Sequence, residues 1–79
     1  MASIREVSAG ERIIAIRQPG IEMYTVIDRK LQASIEGKSG RIDLDSHLRG
    51  DIVGEAGLFF AKRTANVDAV EDTRLLRIT

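Results

Sequence analysis

The sequence predicts an all-β fold, a small sandwich or barrel, and three observations lead to this prediction. Hydrophobic and polar residues alternate in almost every segment, which is typical of strands with one buried and one solvated face. Turn-forming residues interrupt these segments at the short intervals found in small sandwiches and barrels. The chain has only 79 residues and carries no internal repeat or linker, so we expect one domain over residues 1–79.

Two strands are predicted in the N-terminal part of the chain, over residues 12–17 and 22–28. Both segments contain several β-branched residues, which favour strands. Between them lie Gln18, Pro19 and Gly20, and this is a turn sequence because proline fixes φ and glycine accepts a positive φ. The sequence therefore predicts that the two strands form a hairpin.

Three further strands are predicted from alternation, over residues 31–36, 42–45 and 64–69. Turns are predicted at residues 37–40 and 49–51, where glycine interrupts the pattern. The residues expected to face the core are Leu31, Ala33, Ile35, Ile42, Leu44, Ala65, Val67 and Ala69. Those expected to face solvent are Gln32, Ser34, Glu36, Asp43, Asp45, Thr64, Asn66 and Asp68.

Residues 54–62 break this alternation. Their apolar side chains lie close together, which suits one or two helical turns better than a strand. We expect at least one of Phe59 and Phe60 to pack in the core. The first N–H groups of such a helical turn have no partner within it, and such groups bind anions. The sequence thus predicts a local anion site at a short helix.

The composition limits what the domain can bind. Twelve Lys and Arg balance twelve Asp and Glu, so there is no general positive field, and we expect no direct binding of nucleic acid by this segment. The apolar runs are far shorter than the roughly 20 residues that span a bilayer, so we expect no membrane insertion. The absence of cysteine excludes disulfides and thiolate zinc sites, and it favours a cytoplasmic location.

The sequence predicts that the domain is not an enzyme. No nucleophile, base and oxyanion donors occur together, and no cofactor motif is present, so we expect no catalytic residue, no metal and no cofactor. The single histidine, His47, is expected at a strand end or in a loop, because one imidazole does not build a zinc site. A cupin-like enzyme would need two or three histidines. Asp43 and Asp45 are expected to be hydrated rather than an acid/base pair.

Several motifs together resemble the cyclic-nucleotide-binding domain family, the module of catabolite-activator-type regulators and cyclic-nucleotide-dependent kinases. The strings GDIVGEAGLF at 50–59 and RTANV at 63–67 are similar to the family's phosphate-binding cassette. SAGERII at 8–14, PGIEMYTVI at 19–27 and VEDTRLLRI at 70–78 are similar to its flanking strands. The resemblance implies a double-stranded β-helix, a jelly-roll-like β-roll with one short cassette helix. The family's C-terminal helical lid is expected to be missing, which leaves three alternatives. The chain is an excerpt of a longer protein, a minimal domain, or a domain whose lid an effector domain or partner chain supplies.

The resemblance also implies a ligand, cyclic AMP or cyclic GMP, and a set of ligand-binding residues. A cyclic phosphate is a monoanion, and Arg63 is the candidate to neutralise it. Glu55 is expected to accept a hydrogen bond from the ribose 2′-hydroxyl, and Gly54 to let the backbone approach the phosphate. The ligand-binding residues implied by the motif are Gly54, Glu55, Ala56, Arg63, Thr64 and Ala65.

Backbone N–H groups near Glu55, Ala56 and Ala65 would add donors to the phosphate, and Thr64 would add its hydroxyl. A threonine after the cassette arginine occurs in cyclic-GMP-dependent kinases of the family, so Thr64 favours cyclic GMP. The implied function is therefore a regulatory, ligand-sensing module in signal transduction.

An alternative is a degenerate domain of the same fold that serves as a structural or protein-interaction module. Glu55 and Arg63 would then form only an ion pair across a loop, and their spacing is shorter than in the typical cassette. Arg29 stands where the family usually places glycine. Because a positive φ would strain an arginine, the chain is expected to use a different turn there.

Overall fold

The computed structural model describes residues 2–20, 22–54 and 65–78, and all regular structure in them is β-strand. This confirms the predicted all-β class. The short helix predicted over residues 54–62 lies almost wholly outside the described residues. The strands are β1 (Ala2–Val7), β2 (Arg12–Ile14), β3 (Met23–Asp28), β4 (Leu31–Gly37), β5 (Gly40–His47), β6 (Ile52–Val53), β7 (Asn66–Ala69) and β8 (Thr73–Ile78).

The strands form two antiparallel four-stranded sheets. The first has the order β1-β8-β3-β6 and the second the order β2-β7-β4-β5. Successive strands alternate between the sheets, except β4 and β5, which are joined by the predicted turn with Gly37 opposite Gly40. Repeated crossing between two sheets is the topology of a jelly-roll-like β-roll.

The predicted hairpin between the first two segments is wrong. β2 ends at Ile14 and pairs with β7 in the second sheet, whereas β3 pairs with β8 and β6 in the first. The chain turns earlier than predicted, with the Gln18 amide donating to the Ala15 carbonyl at 3.2 Å. The segment that contains Pro19 and Gly20 therefore carries the chain from one sheet to the other.

The core lies between the two sheets and takes side chains from both. Leu31 and Leu75 are completely buried, and burial of one such side chain contributes about 2 kcal/mol. The predicted inward positions Leu31, Ala33, Val67 and Ala69 are confirmed. The buried hydrophobic residues are Val7, Tyr24, Val26, Val53 and Leu75 from the first sheet, and Ile14, Leu31, Ala33, Val67 and Ala69 from the second.

The burial predicted from alternation is wrong for an edge strand and for the two central strands of the second sheet. Ile42 and Leu44 remain 49% and 46% exposed, because β5 is an edge strand of the second sheet and none of the described strands lies beyond it. Ser34, Asn66 and Asp68 are buried although solvent exposure was predicted. Their strands, β4 and β7, are the two central strands of this sheet. Asp43 and Asp45 are exposed, and His47 ends β5, as predicted.

The prediction that the chain avoids a positive φ at Arg29 is also wrong. Arg29 has a φ of 77°, which is the left-handed region that favours glycine. It lies between β3 and β4, which belong to different sheets, so this connection is a corner of the roll. The corner is closed by the Thr73 hydroxyl, which donates to the Lys30 carbonyl at 3.1 Å. This bond fixes the residue that directly follows Arg29.

Candidate functional site

The two ends of the predicted cassette belong to different sheets. Gly54 directly follows β6 in the first sheet, and Ala65 directly precedes β7 in the second. Both are half-buried. The other predicted ligand-binding residues, Glu55, Ala56, Arg63 and Thr64, lie outside the described residues. The structure therefore defines the strands from which the cassette starts and to which it returns.

Gly54 has a φ of 91°, a conformation that residues with a side chain rarely adopt. The sequence suggested glycine here because a ligand would approach the backbone closely. The structure adds a reason that is independent of any ligand, since the chain leaves β6 in the left-handed region. Glycine at this position is thus favoured by the backbone conformation of the domain itself.

The strand before the cassette is fixed to β3. Val53, which is 2% exposed, lies opposite Tyr24, and Ile52 lies opposite Thr25. The bonding to β3 already begins in the residues before β6, because the Val26 amide donates to the Asp51 carbonyl at 3.0 Å and the Gly50 amide donates to the Val26 carbonyl at 2.9 Å. The start of the cassette is therefore anchored in the core.

The strand after the cassette is paired with β2 and β4, and two polar side chains add further bonds to it. The Asn66 carboxamide oxygen, Oδ1, accepts a hydrogen bond from the Ile16 amide at 2.7 Å. Two residues further along β7, both carboxylate oxygens of Asp68 accept from the Arg12 guanidinium, at 2.7 and 3.2 Å. Alternation had assigned both residues to a solvated face, so their role was not predicted from the sequence. Asparagine and aspartate are depleted in strands, so their occurrence together in one strand was the available signal.

Asp68 is the centre of a charged network on the second sheet. Arg41 from β5 reaches across β4 and places its Nη1 3.8 Å from Asp68, while its Nε donates to Asp43 at 2.7 Å. The hydrogen bond to Asp68 raises the pKa of Arg12 above its ordinary value. The Asp68 side chain is only 13% exposed, so its carboxylate has lost most of its contact with water. The two guanidinium groups offset the free-energy cost of that lost hydration.

Among residues 2–20, 22–54 and 65–78, no three histidine, aspartate or glutamate side chains are arranged to hold a metal ion. None of these residues belongs to a helix long and apolar enough to span a membrane.

Comparison with known proteins connects this geometry to a family. The family model of the cyclic nucleotide-binding domain matches residues 4–79. No curated protein matches the sequence.

Solved structures with the same fold come from bacteria and a parasite. The N-terminal domain of a transcriptional regulator from Streptomyces coelicolor A3(2) is 24% identical with a TM-score of 0.89, over 98% of this chain and 55% of that one. The catabolite activator protein of Thermus thermophilus is 28% identical with a TM-score of 0.88, over 98% of this chain and 37% of that one. The regulatory domain of Toxoplasma gondii PKA, solved with cAMP, is 23% identical with a TM-score of 0.92, over 98% of this chain and 30% of that one.

This chain therefore spans between about a third and just over half of the length of these three proteins. The two similarities at 23% and 24% identity establish the fold, and the match to the family model covers nearly the whole sequence. From this match, the chain belongs to the cyclic nucleotide-binding domain family.

Proposed function

We propose that this domain is a regulatory module that binds cyclic AMP or cyclic GMP through its phosphate-binding cassette. The observation that carries the proposal is the match of the family model over residues 4–79, which includes the whole cassette. The left-handed Gly54 and the firmly held strands on both sides of the cassette support it. The cAMP in the Toxoplasma gondii PKA structure supports the class of ligand.

In this proposal each cassette residue contacts a different part of the ligand. Arg63 neutralises the cyclic phosphate, and Glu55 accepts a hydrogen bond from the ribose 2′-hydroxyl. The backbone N–H groups of Ala56 and Ala65 add donors, and Thr64 favours cyclic GMP. A charge-assisted hydrogen bond contributes about 1.5 to 3 kcal/mol, whereas micromolar affinity needs about 8 kcal/mol. The two charged residues are therefore insufficient, and apolar contacts of the purine must supply the difference.

We further propose that an effector domain or partner chain covers the base when the nucleotide is bound, and that the protein works in the cytoplasm. Apolar strand residues of the roll would form one wall for the purine. The covering segment would form the other wall, which would explain how occupancy is reported to an output. The domain itself would carry out no reaction.

Calorimetric titration with cyclic AMP, cyclic GMP and 5′-AMP tests the proposal. We expect binding of at least one cyclic nucleotide and much weaker binding of 5′-AMP. Arg63→Ala should weaken the affinity by about 10- to 150-fold, because one charge-assisted interaction is lost. The matched control is Lys62→Ala, which removes the adjacent cation and should change the affinity less than twofold.

Thermal unfolding gives an independent reading, because a ligand at 100 times its dissociation constant stabilises the folded state by about 2.7 kcal/mol. If neither cyclic nucleotide binds or shifts the unfolding temperature of the wild type, the proposal is wrong, and the domain is a structural module of the same fold. If Arg63→Ala and Lys62→Ala behave alike, the assignment of Arg63 is wrong.

A further inference from the structure

The strand that follows the cassette carries an asparagine whose burial is unusual for its position. Asn66 is the first residue of β7, and its neighbour Val67 points into the core, so the Asn66 side chain points to the opposite face. It is nevertheless only 2% exposed. A polar side chain that is buried on the outer face of a sheet needs a hydrogen-bonding partner.

That partner belongs to a distant part of the chain. Asn66 Oδ1 accepts a hydrogen bond from the Ile16 amide at 2.7 Å, and the two residues are 50 positions apart in sequence. Ile16 lies in the segment that leaves β2 and crosses to the other sheet. The bond therefore joins the strand that leaves the cassette to the segment between β2 and β3.

This bond lies where the backbone ladder between β2 and β7 ends. The last paired residues of the two strands are Ile14 and Val67. On the β4 side, Asn66 is still paired, with Ser34 opposite it. On the β2 side, the side-chain bond to Ile16 continues the connection by one residue in the direction of the cassette. Among the described residues, it is thus the hydrogen bond nearest to Ala65 on that side of the strand.

Ala65 is the residue next to this bond in the direction of the cassette. It directly precedes Asn66, and under the proposed function its backbone N–H is a donor to the cyclic phosphate. A donor contributes most when it is already held in place before the ligand arrives. Asparagine suits the task because its amide accepts the bond without adding a negative charge close to an anion. Aspartate would accept the same bond but would repel the phosphate.

We propose that Asn66 is a positioning residue of the nucleotide site, which holds the Ala65 N–H in place through its hydrogen bond to Ile16. This inference rests on the proposed function. The residue need not touch the ligand, and its effect on affinity would pass through Ala65 alone.

The test compares Asn66→Ala with Ser34→Ala. Ser34 lies directly opposite Asn66 and is equally buried, at 1% exposure, so its variant is a control for general damage to the sheet. Three quantities are measured on the full chain: the affinity for the cyclic nucleotide, the hydrogen-exchange rate of the Ala65 amide without ligand, and the unfolding free energy in urea.

We expect Asn66→Ala to weaken the affinity by about five- to tenfold, which is what the loss of one neutral hydrogen bond corresponds to. The Ala65 amide should exchange about tenfold faster than in Ser34→Ala, while the affinity of Ser34→Ala stays within twofold of wild type. Asn66→Asp keeps the acceptor oxygen, so it should restore slow exchange at Ala65 but not the affinity.

Equal affinities of Asn66→Ala and wild type, or equal losses in Asn66→Ala and Ser34→Ala, would overturn the inference. If Asn66→Ala does not fold, Asn66→Gln replaces it, since the longer side chain displaces the oxygen. If the wild type binds no cyclic nucleotide, the proposed function fails. The exchange rate of Ala65 in the free protein then decides alone whether Asn66 positions it.

Discussion

The corner at Arg29 offers a test of backbone strain that needs no ligand. Arg29 has a φ of 77°, and its side chain is 61% exposed. Its one described ion pair, from Nε to the Asp28 carboxylate at 3.9 Å, is longer than a hydrogen bond and involves two exposed groups. Replacing this arginine with glycine therefore removes strain and very little favourable contact.

The magnitude follows from three contributions. A left-handed conformation costs a residue with a side chain roughly 1 to 2 kcal/mol. The exposed ion pair contributes at most a few tenths of a kcal/mol. Glycine gains freedom in the unfolded chain, which costs about 0.5 to 1 kcal/mol. We expect Arg29→Gly to stabilise the protein by about 0.5 to 1 kcal/mol, and to raise the melting temperature by about 2 to 8 °C for a domain of this size.

Urea denaturation and calorimetry of Arg29→Gly measure this gain. The matched control is Lys30→Gly, one residue further along. Lys30 has no positive φ and begins the approach to β4, so glycine there should destabilise by about 0.5 to 1 kcal/mol. A loss of stability in Arg29→Gly similar to that in Lys30→Gly would refute the reasoning, because it would mean that the left-handed conformation stores no strain.

Two further substitutions test the second sheet. Asp68→Asn removes the charge that Arg12 and Arg41 share, and it should lower the free energy of unfolding in urea by about 1 to 2 kcal/mol, a moderate loss because Arg12 is still 47% exposed. The control Asp43→Asn, at an exposed site, should lower it by less than about 0.5 kcal/mol. Equal losses in the two variants would contradict the network. Gly37→Ala places a Cβ 2.6 Å from Ile42 Cδ1 and should cost about 1 kcal/mol. Ile42→Val removes that methyl group, so a double-mutant cycle should show that most of the cost disappears; full additivity would mean that the two residues do not collide.

The strands themselves were predictable from the sequence, but their neighbours were not. Alternation located β4 and placed Leu31 and Ala33 in the core, because a strand that borders the core imposes a period of two on its own residues. Alternation contains no information on the order of strands in a sheet. It therefore assigned Ile42 on an edge strand to the core, and Asn66 on a central strand to solvent.

The same limit applies to the site. The cassette motif predicts Gly54 and Ala65 as site residues, and the structure places them next to β6 and β7. The motif does not predict the proposed role of Asn66, because this side chain is bonded to the backbone of Ile16, and the sequence does not show which backbone group a side chain contacts. The hairpin predicted around Pro19 failed for a related reason. A turn sequence indicates a change of direction but does not specify which strand the chain pairs with next.

The alternation of successive strands between the sheets also determines how this protein must fold. β1 pairs with β8, and β2 with β7, so most pairings join segments that are far apart in the chain. Such pairings need large loops to close before they gain any contact energy, which places folding in the slower range of small domains, milliseconds to seconds. The β4–β5 hairpin has a local turn and can form early. The strands on both sides of the cassette are held by distant partners, so we expect the two ends of the cassette to come together only late in folding.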